Sequence, residues 1–157
     1  MYERILVALD GTEVAERVLP HVEALARAFG STLILLEATT PPERLMAELG
    51  GGMDVAPTFI DPTQILDDEE AAVGEYLTTV AGRLRAAGLT VRTDEQPGSP
   101  AHEIVQRAND LKADLIAMTS HGRSGFGRLI FGNVGESVLR HATCPLLLVH
   151  VTEDDEA

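Results

Sequence analysis

What is scarce in this chain does much to bound it. There is no tryptophan, aromatic residues make up 4% of the whole, and Cys144 is the single cysteine. One cysteine can form neither an intrachain disulfide nor a cysteine-rich metal site. Placed just before Pro145 and an apolar run, it is read as a packing residue. Basic residues are also few: 12 Lys and Arg stand against 25 Asp and Glu, Lys112 is the sole lysine, and the formal net charge is -13. A surface of that sign repels phosphate backbones and anionic lipid, so general nucleic-acid and membrane-surface binding is disfavoured and any anionic ligand needs a local exception. No stretch approaches the ~20 apolar residues of a membrane-spanning helix. The start MYERILVALD is a charged lead into a strand, without a signal-peptide layout. A cytoplasmic protein is expected.

What is present is the balance of a soluble domain: 157 residues, 45% of them apolar and 24% charged. That length suits one α/β domain, expected over residues 1–151, with residues 152–157 a solvated acidic tail. Short apolar runs alternate with segments of helical period. Arg4 to Leu9 reads as a strand, and Thr12 to Phe29 as an amphipathic helix that Thr12 can cap and Gly30 can end in the left-handed conformation. Thr32 to Ala38 is a second strand, Asp68 to Ala87 a second helix, and Thr90 to Glu95 a third, more polar strand. Ser99-Pro100 opens a helix running to about Leu111, Asp114 to Thr119 is a strand, Asn133 to His141 a short helix, and Pro145 to Val151 the last strand. Continuously apolar strands alternating with helices imply an α/β fold, a doubly wound five-stranded parallel sheet in the order 3-2-1-4-5. The connection from Thr39 to Leu66 is far longer than such a fold needs and holds Pro41, Pro42, Pro57, Pro62 and Gly50 to Gly52, which fits either a lid or a surface insertion.

In an open sheet of this order, ligands bind beyond the carboxyl ends of strands one and four, where the order reverses. Two loops meet there. One is Asp10-Gly11-Thr12; the other carries Gly122, Gly125, Gly127 and Gly132 and runs into a helix that starts at Asn133. Glycines let backbone N–H groups turn toward a phosphate, and a helix N-terminus adds positive field. Arg123, Arg128 and Arg140 concentrate positive charge here. A plain strand-to-helix turn is the alternative, with Asn133 and Glu136 forming a capping box that would occupy the same donors.

The run Thr119-Ser-His-Gly122, nine residues, Gly132-Asn133-Val134, and then Leu139-Arg-His-Ala-Thr-Cys-Pro145-Leu-Leu-Leu-Val149 resembles the signature of the universal stress protein family. Ile5-Leu-Val-Ala-Leu-Asp10-Gly-Thr12 and Leu33-Ile-Leu-Leu-Glu-Ala38 look like that family's first two strands. The family pattern is glycine, two residues, glycine, nine residues, glycine, then serine or threonine; here Thr119 holds the first glycine position and Asn133 the last. The resemblance implies a Rossmann-like fold akin to the adenine-nucleotide alpha hydrolases. It implies a site for ATP or another adenine nucleotide, with Mg held by the phosphates and Asp10. Ala8, Asp10 and Ala38 match positions facing adenosine; Thr119, Gly122, Arg123 and Ser124 match the phosphate loop; Gly132, Asn133, Val134 and Gly135 match the helix start. His121 lies within the signature as a phosphate contact, an acid or base, or a loop brace. A homodimer paired through the last strand is implied too. No G-x-x-x-x-G-K-[ST] occurs, so a binding switch with slow or no hydrolysis is expected, against a nucleotide-free dimeric interaction protein or a weak ATP hydrolase.

Overall fold

The computed structural model describes residues 1–39, 41, 62–120 and 133–151. Five strands, β1 (Arg4–Leu9), β2 (Thr32–Thr39), β3 (Thr90–Pro97), β4 (Leu115–Thr119) and β5 (Leu146–Val149), form one sheet in the order β3-β2-β1-β4-β5. Every pairing is parallel, β1 with β2 from Arg4↔Thr32 and β4 with β5 from Ile116↔Leu146 to Thr119↔Val149. The expected order and direction are therefore present. Among the described residues, four helices cover the two faces: α1 (Leu19–Phe29), α2 (Pro62–Ala86), α3 (Pro100–Asp110) and α4 (Asn133–His141).

Strand residues alternate between the faces, and the core divides accordingly. Ile5, Val7, Leu9, Leu33, Leu35, Leu115 and Ala117 pack with Val22 and Ala26 of α1 and Val73, Leu77, Val80 and Leu84 of α2. Leu6, Ile34, Leu36, Ile116 and Met118 pack with Ile104 and Ala108 of α3 and Val138 of α4. Cys144 packs against this second cluster, and burial, aided by Asp114, pushes its thiol up, as suits a packing residue.

Several boundaries differ from the sequence expectation, among them β5, which spans Leu146–Val149 rather than Pro145 to Val151, and β3, which runs on to Pro97. The first helical segment does not begin regularly at Thr12: a 3-10 turn at Ala15–Val18 precedes α1, and the Thr12 hydroxyl accepts the Ala15 N–H at 3.2 Å ahead of it. Gly30 ends α1 at φ 65° as expected, its N–H donating to the Ala26 carbonyl. Helix α2 starts at Pro62, six residues before Asp68, because a proline needs no N–H partner in the first turn of a helix. The connection expected from Thr39 to Leu66 is thereby shortened at both ends, Thr39 belonging to β2; apart from Pro41, its remainder lies outside the described residues, as does the 152–157 tail. No helix of the described residues is long and apolar enough to cross a membrane.

The two sheet edges are unlike. Strand β3 is polar, ends on Pro97, and receives Arg85 from α2, whose Nε and Nη2 donate to the Val91 carbonyl at 3.2 and 2.7 Å. Strand β5 is Leu-Leu-Leu-Val, with each residue partly buried. Lysine, arginine, proline and polar side chains are how proteins blunt an edge, and here they stand on β3 alone.

Candidate functional site

The carboxyl ends of β1 and β4 lie side by side at the point where strand order reverses. Asp10 follows β1 directly, half-buried, and its Oδ1 accepts the Thr12 N–H at 3.0 Å and the Thr12 hydroxyl at 2.5 Å. This is an Asx turn, in which an aspartate carboxylate stands in for a backbone carbonyl two residues before the donor. Gly11 occupies its centre at φ 78°, where a Cβ would be strained. The turn fixes the carboxylate at the mouth of the sheet rather than leaving it to rotate in solvent.

Ala8 in β1 packs against the cluster shared with α3 and α4, and so does Val134. Ala38 continues the parity of Ile34 and Leu36 and belongs to that same face. Gly135 is buried in the first turn of α4, and Asn133 is exposed at its start. Ala8, Ala38, Asn133, Val134 and Gly135 are thus assembled on one side, with Asp10 at its rim. Thr119 is buried as the last residue of β4, but it continues the parity of Leu115 and Ala117 and belongs to the face of α1 and α2. His121, Gly122, Arg123, Ser124 and Gly132 lie outside the described residues.

Two expectations for this region change. Arg140 stands in the last turn of α4, where its Nη2 donates to Glu136 Oε1 at 2.6 Å across one turn of helix. It does not join a cluster of cations at the helix start, and Glu136 is engaged with Arg140 instead of completing a capping box with Asn133.

On the opposite face, behind Asp10, a polar group stands that the sequence did not single out. Glu37 of β2 is buried, Glu16 pairs with Arg83 Nη2 at 2.5 Å, and the Tyr76 hydroxyl is buried without a hydrogen-bond partner among the described residues. Burial first, then the carboxylates of Glu16, Glu37 and Asp10, push the Tyr76 phenol above its usual range, so it stays neutral. Ser120 was missed as well. It is buried, its N–H donates to the Val149 carbonyl at 2.9 Å, and its Oγ accepts the Val151 N–H at 3.1 Å. Only the register of β5 reveals that role, and composition carries no trace of it. Asp10-Gly11-Thr12, by contrast, is a recognisable Asx-turn sequence.

A five-stranded doubly wound parallel sheet whose order reverses between β1 and β4, with an aspartate turn directly after β1, defines a Rossmann-like α/β protein. The universal stress protein family model matches residues 1–150, and the chain belongs to that family. It is 30% identical over 151 residues to universal stress protein MJ0531 of Methanocaldococcus jannaschii, a match covering 95% of this chain and 82% of that protein. It is also 30% identical over 149 residues to a universal stress protein of Thermus aquaticus, covering 95% and 99%. Among solved structures, that of the hypothetical protein MJ0577 superposes with a TM-score of 0.81 at 25% identity, covering 98% of this chain and 99% of that one. The same fold, at a TM-score of 0.66 and 20% identity over 94% and 98% of the two chains, occurs in a universal stress protein of Archaeoglobus fulgidus solved in complex with dAMP.

Proposed function

We propose that this chain is an adenine-nucleotide-binding switch, with ATP as its foremost ligand, that works in the cytoplasm as a homodimer with slow or no hydrolysis. The observation that supports this best is the Asp10 carboxylate, oriented by its turn at the carboxyl end of β1 where the strand order reverses, in a topology that starts α4 from the carboxyl side of the neighbouring β4. Ala8, Ala38 and Val134 offer small apolar surface to a base on one face, Asp10 offers an acceptor to ribose hydroxyls, and the N–H groups of Asn133, Val134 and Gly135 suit phosphate. His121, Gly122, Arg123, Ser124 and Gly132 complete the proposed site by their place in the sequence, and Thr119 leads the chain into it. That one universal stress protein of this fold was solved with cAMP and another with dAMP supports the adenine preference. Among the described residues no group of three or more metal-ligating side chains occurs. A magnesium ion would therefore be held mainly by the nucleotide phosphates and water, with Asp10 contributing one carboxylate. The proposed domain is residues 1–151. Among the described residues the β5 edge is apolar while the opposite edge, β3, is polar and guarded by Arg85, which supports self-pairing through β5.

Mass spectrometry of the small molecules released by heating the purified protein, together with melting in MgATP, tests this. A released adenine nucleotide is expected, with a stabilisation of about 2.7 kcal/mol at a hundredfold excess of ATP over its Kd. Asp10→Ala should abolish most of that shift. No released nucleotide and no ATP-dependent rise in melting temperature would leave the nucleotide-free interaction protein as the better description.

A further inference from the structure

The even-numbered residues of the edge strand β3 include Arg92, Asp94 and Gln96. They pair with Ile34, Leu36 and Ala38 of β2, so by parity they project on the face covered by α3 and α4. Polar side chains on such an edge are ordinarily solvated and free to rotate. Two of these are not. Asp94 Oδ2 accepts from Arg107 Nε of α3 at 2.6 Å, and Asp94 Oδ1 accepts from Gln96 Nε2 at 2.6 Å. The side chains of Arg107 and Asp94 are 25% and 13% exposed, so the pair is shielded from the screening that loosens most surface ion pairs. A carboxylate has no proton to give, so the Gln96 amide turns its nitrogen toward Asp94 and its carbonyl oxygen away. One step past Leu9↔Glu37, the same level of the sheet holds Asp10 after β1, Ala38 in β2 and Gln96 in β3. Adjacent strands lie about 4.8 Å apart, so the α-carbons of Asp10 and Gln96 are roughly 10 Å from each other, with only the small Ala38 side chain between them. The Gly98 N–H donates to the Thr39 carbonyl at 3.0 Å, which keeps the β2–β3 ladder closed beyond this level. A carboxylate thus stands at one end of the row and a fixed neutral acceptor at the other, a span comparable with a nucleoside from its ribose hydroxyls to the far edge of its base.

We infer that Gln96 is a specificity-determining residue whose carbonyl accepts the six-amino group of an adenine lying over Ala38, with Asp94 and Arg107 as positioning residues that hold the amide in this sense. The inference rests on the adenine-nucleotide reading proposed above, through Asp10 and Ala38 alone. Adenine offers an N–H at its six position, whereas guanine and hypoxanthine offer a carbonyl. A fixed acceptor pairs with the first and opposes the second. Without the carboxylate the amide could turn over and give its own N–H to a six-oxo base, so the glutamine by itself would not discriminate. A site built to hydrogen-bond one substrate group rejects the analogue that lacks it because polar groups are then left unpaired. Gln96 is half-buried, so water softens that penalty and the discrimination is smaller than in a fully enclosed pocket.

Titration calorimetry with MgATP and MgITP, whose bases carry an amino and an oxo group at the six position, tests this on wild type, Gln96→Met and Asp94→Asn. Wild type is expected to bind ATP about tenfold more tightly than ITP, the worth of one hydrogen bond made against one opposed. Gln96→Met keeps the length of the side chain and loses the amide, and should lower that ratio by at least about threefold. Asp94→Asn keeps Gln96 but lets its amide turn over, since asparagine donates as well as accepts, and should lower the ratio similarly. A merely structural role for Asp94 would weaken both nucleotides alike and leave the ratio unmoved. Should Gln96→Met fail to fold, Gln96→Asn, which withdraws the carbonyl by one methylene, gives the same readout. Equal binding of ATP and ITP by wild type overturns the inference and leaves nucleotide binding standing. A preference for ATP that survives unchanged in Gln96→Met places the base reading elsewhere and overturns it as well, while an unchanged ratio in Asp94→Asn overturns the positioning role. Failure of wild type to bind either nucleotide overturns the function proposed above and this inference with it.

Discussion

Gly135→Ala should stabilise this protein and leave nucleotide binding intact. Gly135 is buried within the first turn of α4, at a position that the family signature assigns to phosphate contact, where glycine invites the reading that no side chain fits. The geometry indicates otherwise. A Cβ built there meets, among the described residues, only Leu148 Cδ1 at 4.0 Å, which is ordinary van der Waals contact. The residue is helical, so alanine gains up to about 1 kcal/mol over glycine from backbone propensity alone. For a domain of this size about 1 kcal/mol corresponds to a rise of roughly 2–4 °C in melting temperature. The new methyl points toward β5 rather than out of the helix start, so the N–H groups offered to a phosphate are untouched. Scanning calorimetry measures the first effect and titration with ATP the second, with an expected change in Kd of less than about threefold, under 1 kcal/mol. A fall in melting temperature would refute the packing argument. A rise accompanied by loss of ATP binding would show that phosphate approaches from the β5 side of the helix and would refute the site geometry.

Tyr76→Phe removes a buried hydroxyl that has no hydrogen-bond partner among the described residues, so stability at neutral pH should be unchanged or slightly higher. The folded-state pKa of Tyr76 is raised, by burial first and then by Glu16, Glu37 and Asp10, so its contribution is fully present below the unfolded value of about 10 and is lost as pH rises from there toward the folded value. Melting temperatures between pH 7 and 11 should therefore fall less steeply at the alkaline end in the variant than in wild type; parallel curves would contradict the assignment. Arg85→Ala exposes the Val91 carbonyl on the β3 edge and should convert the dimer proposed above into larger, concentration-dependent species in sedimentation. An unchanged distribution would show that β3 is protected by its polar sequence alone.

The sheet was legible because its strands are buried on both faces and so read as apolar runs, such as Leu33 to Leu36 and Leu115 to Met118. Helix ends marked by a left-handed glycine, at Gly30, or by a proline-first turn, at Pro100, were legible for equally local reasons. Illegible were features whose partner lies far along the chain or one helical turn away. Arg140 could be counted as a cation near the loop, but only the helix shows that Glu136 holds it. Ser120 could be counted as a loop residue, but only the β5 register shows that its hydroxyl completes a ladder.

Thr119 brings the two kinds of signal into direct conflict. By sequence it replaces a glycine at the opening of the phosphate loop, which adds a β-carbon where a ligand's backbone contacts would lie. By register it pairs with Val149, and by parity its side chain belongs with Leu115 and Ala117 to the face of α1 and α2. Ala8, Ala38 and Val134, the apolar side of the proposed site, belong to the other face. The added β-carbon and its substituents are therefore separated from them by the thickness of the sheet. The departure from the family pattern falls on the side of the strand that packs under α1 and α2, where a threonine is a buried neighbour of the core rather than an obstruction to adenosine. In the site proposed above, Asn133, exposed at the first position of α4, is then the substitution that would face the ligand, presenting an amide at a helix start in place of a hydroxyl.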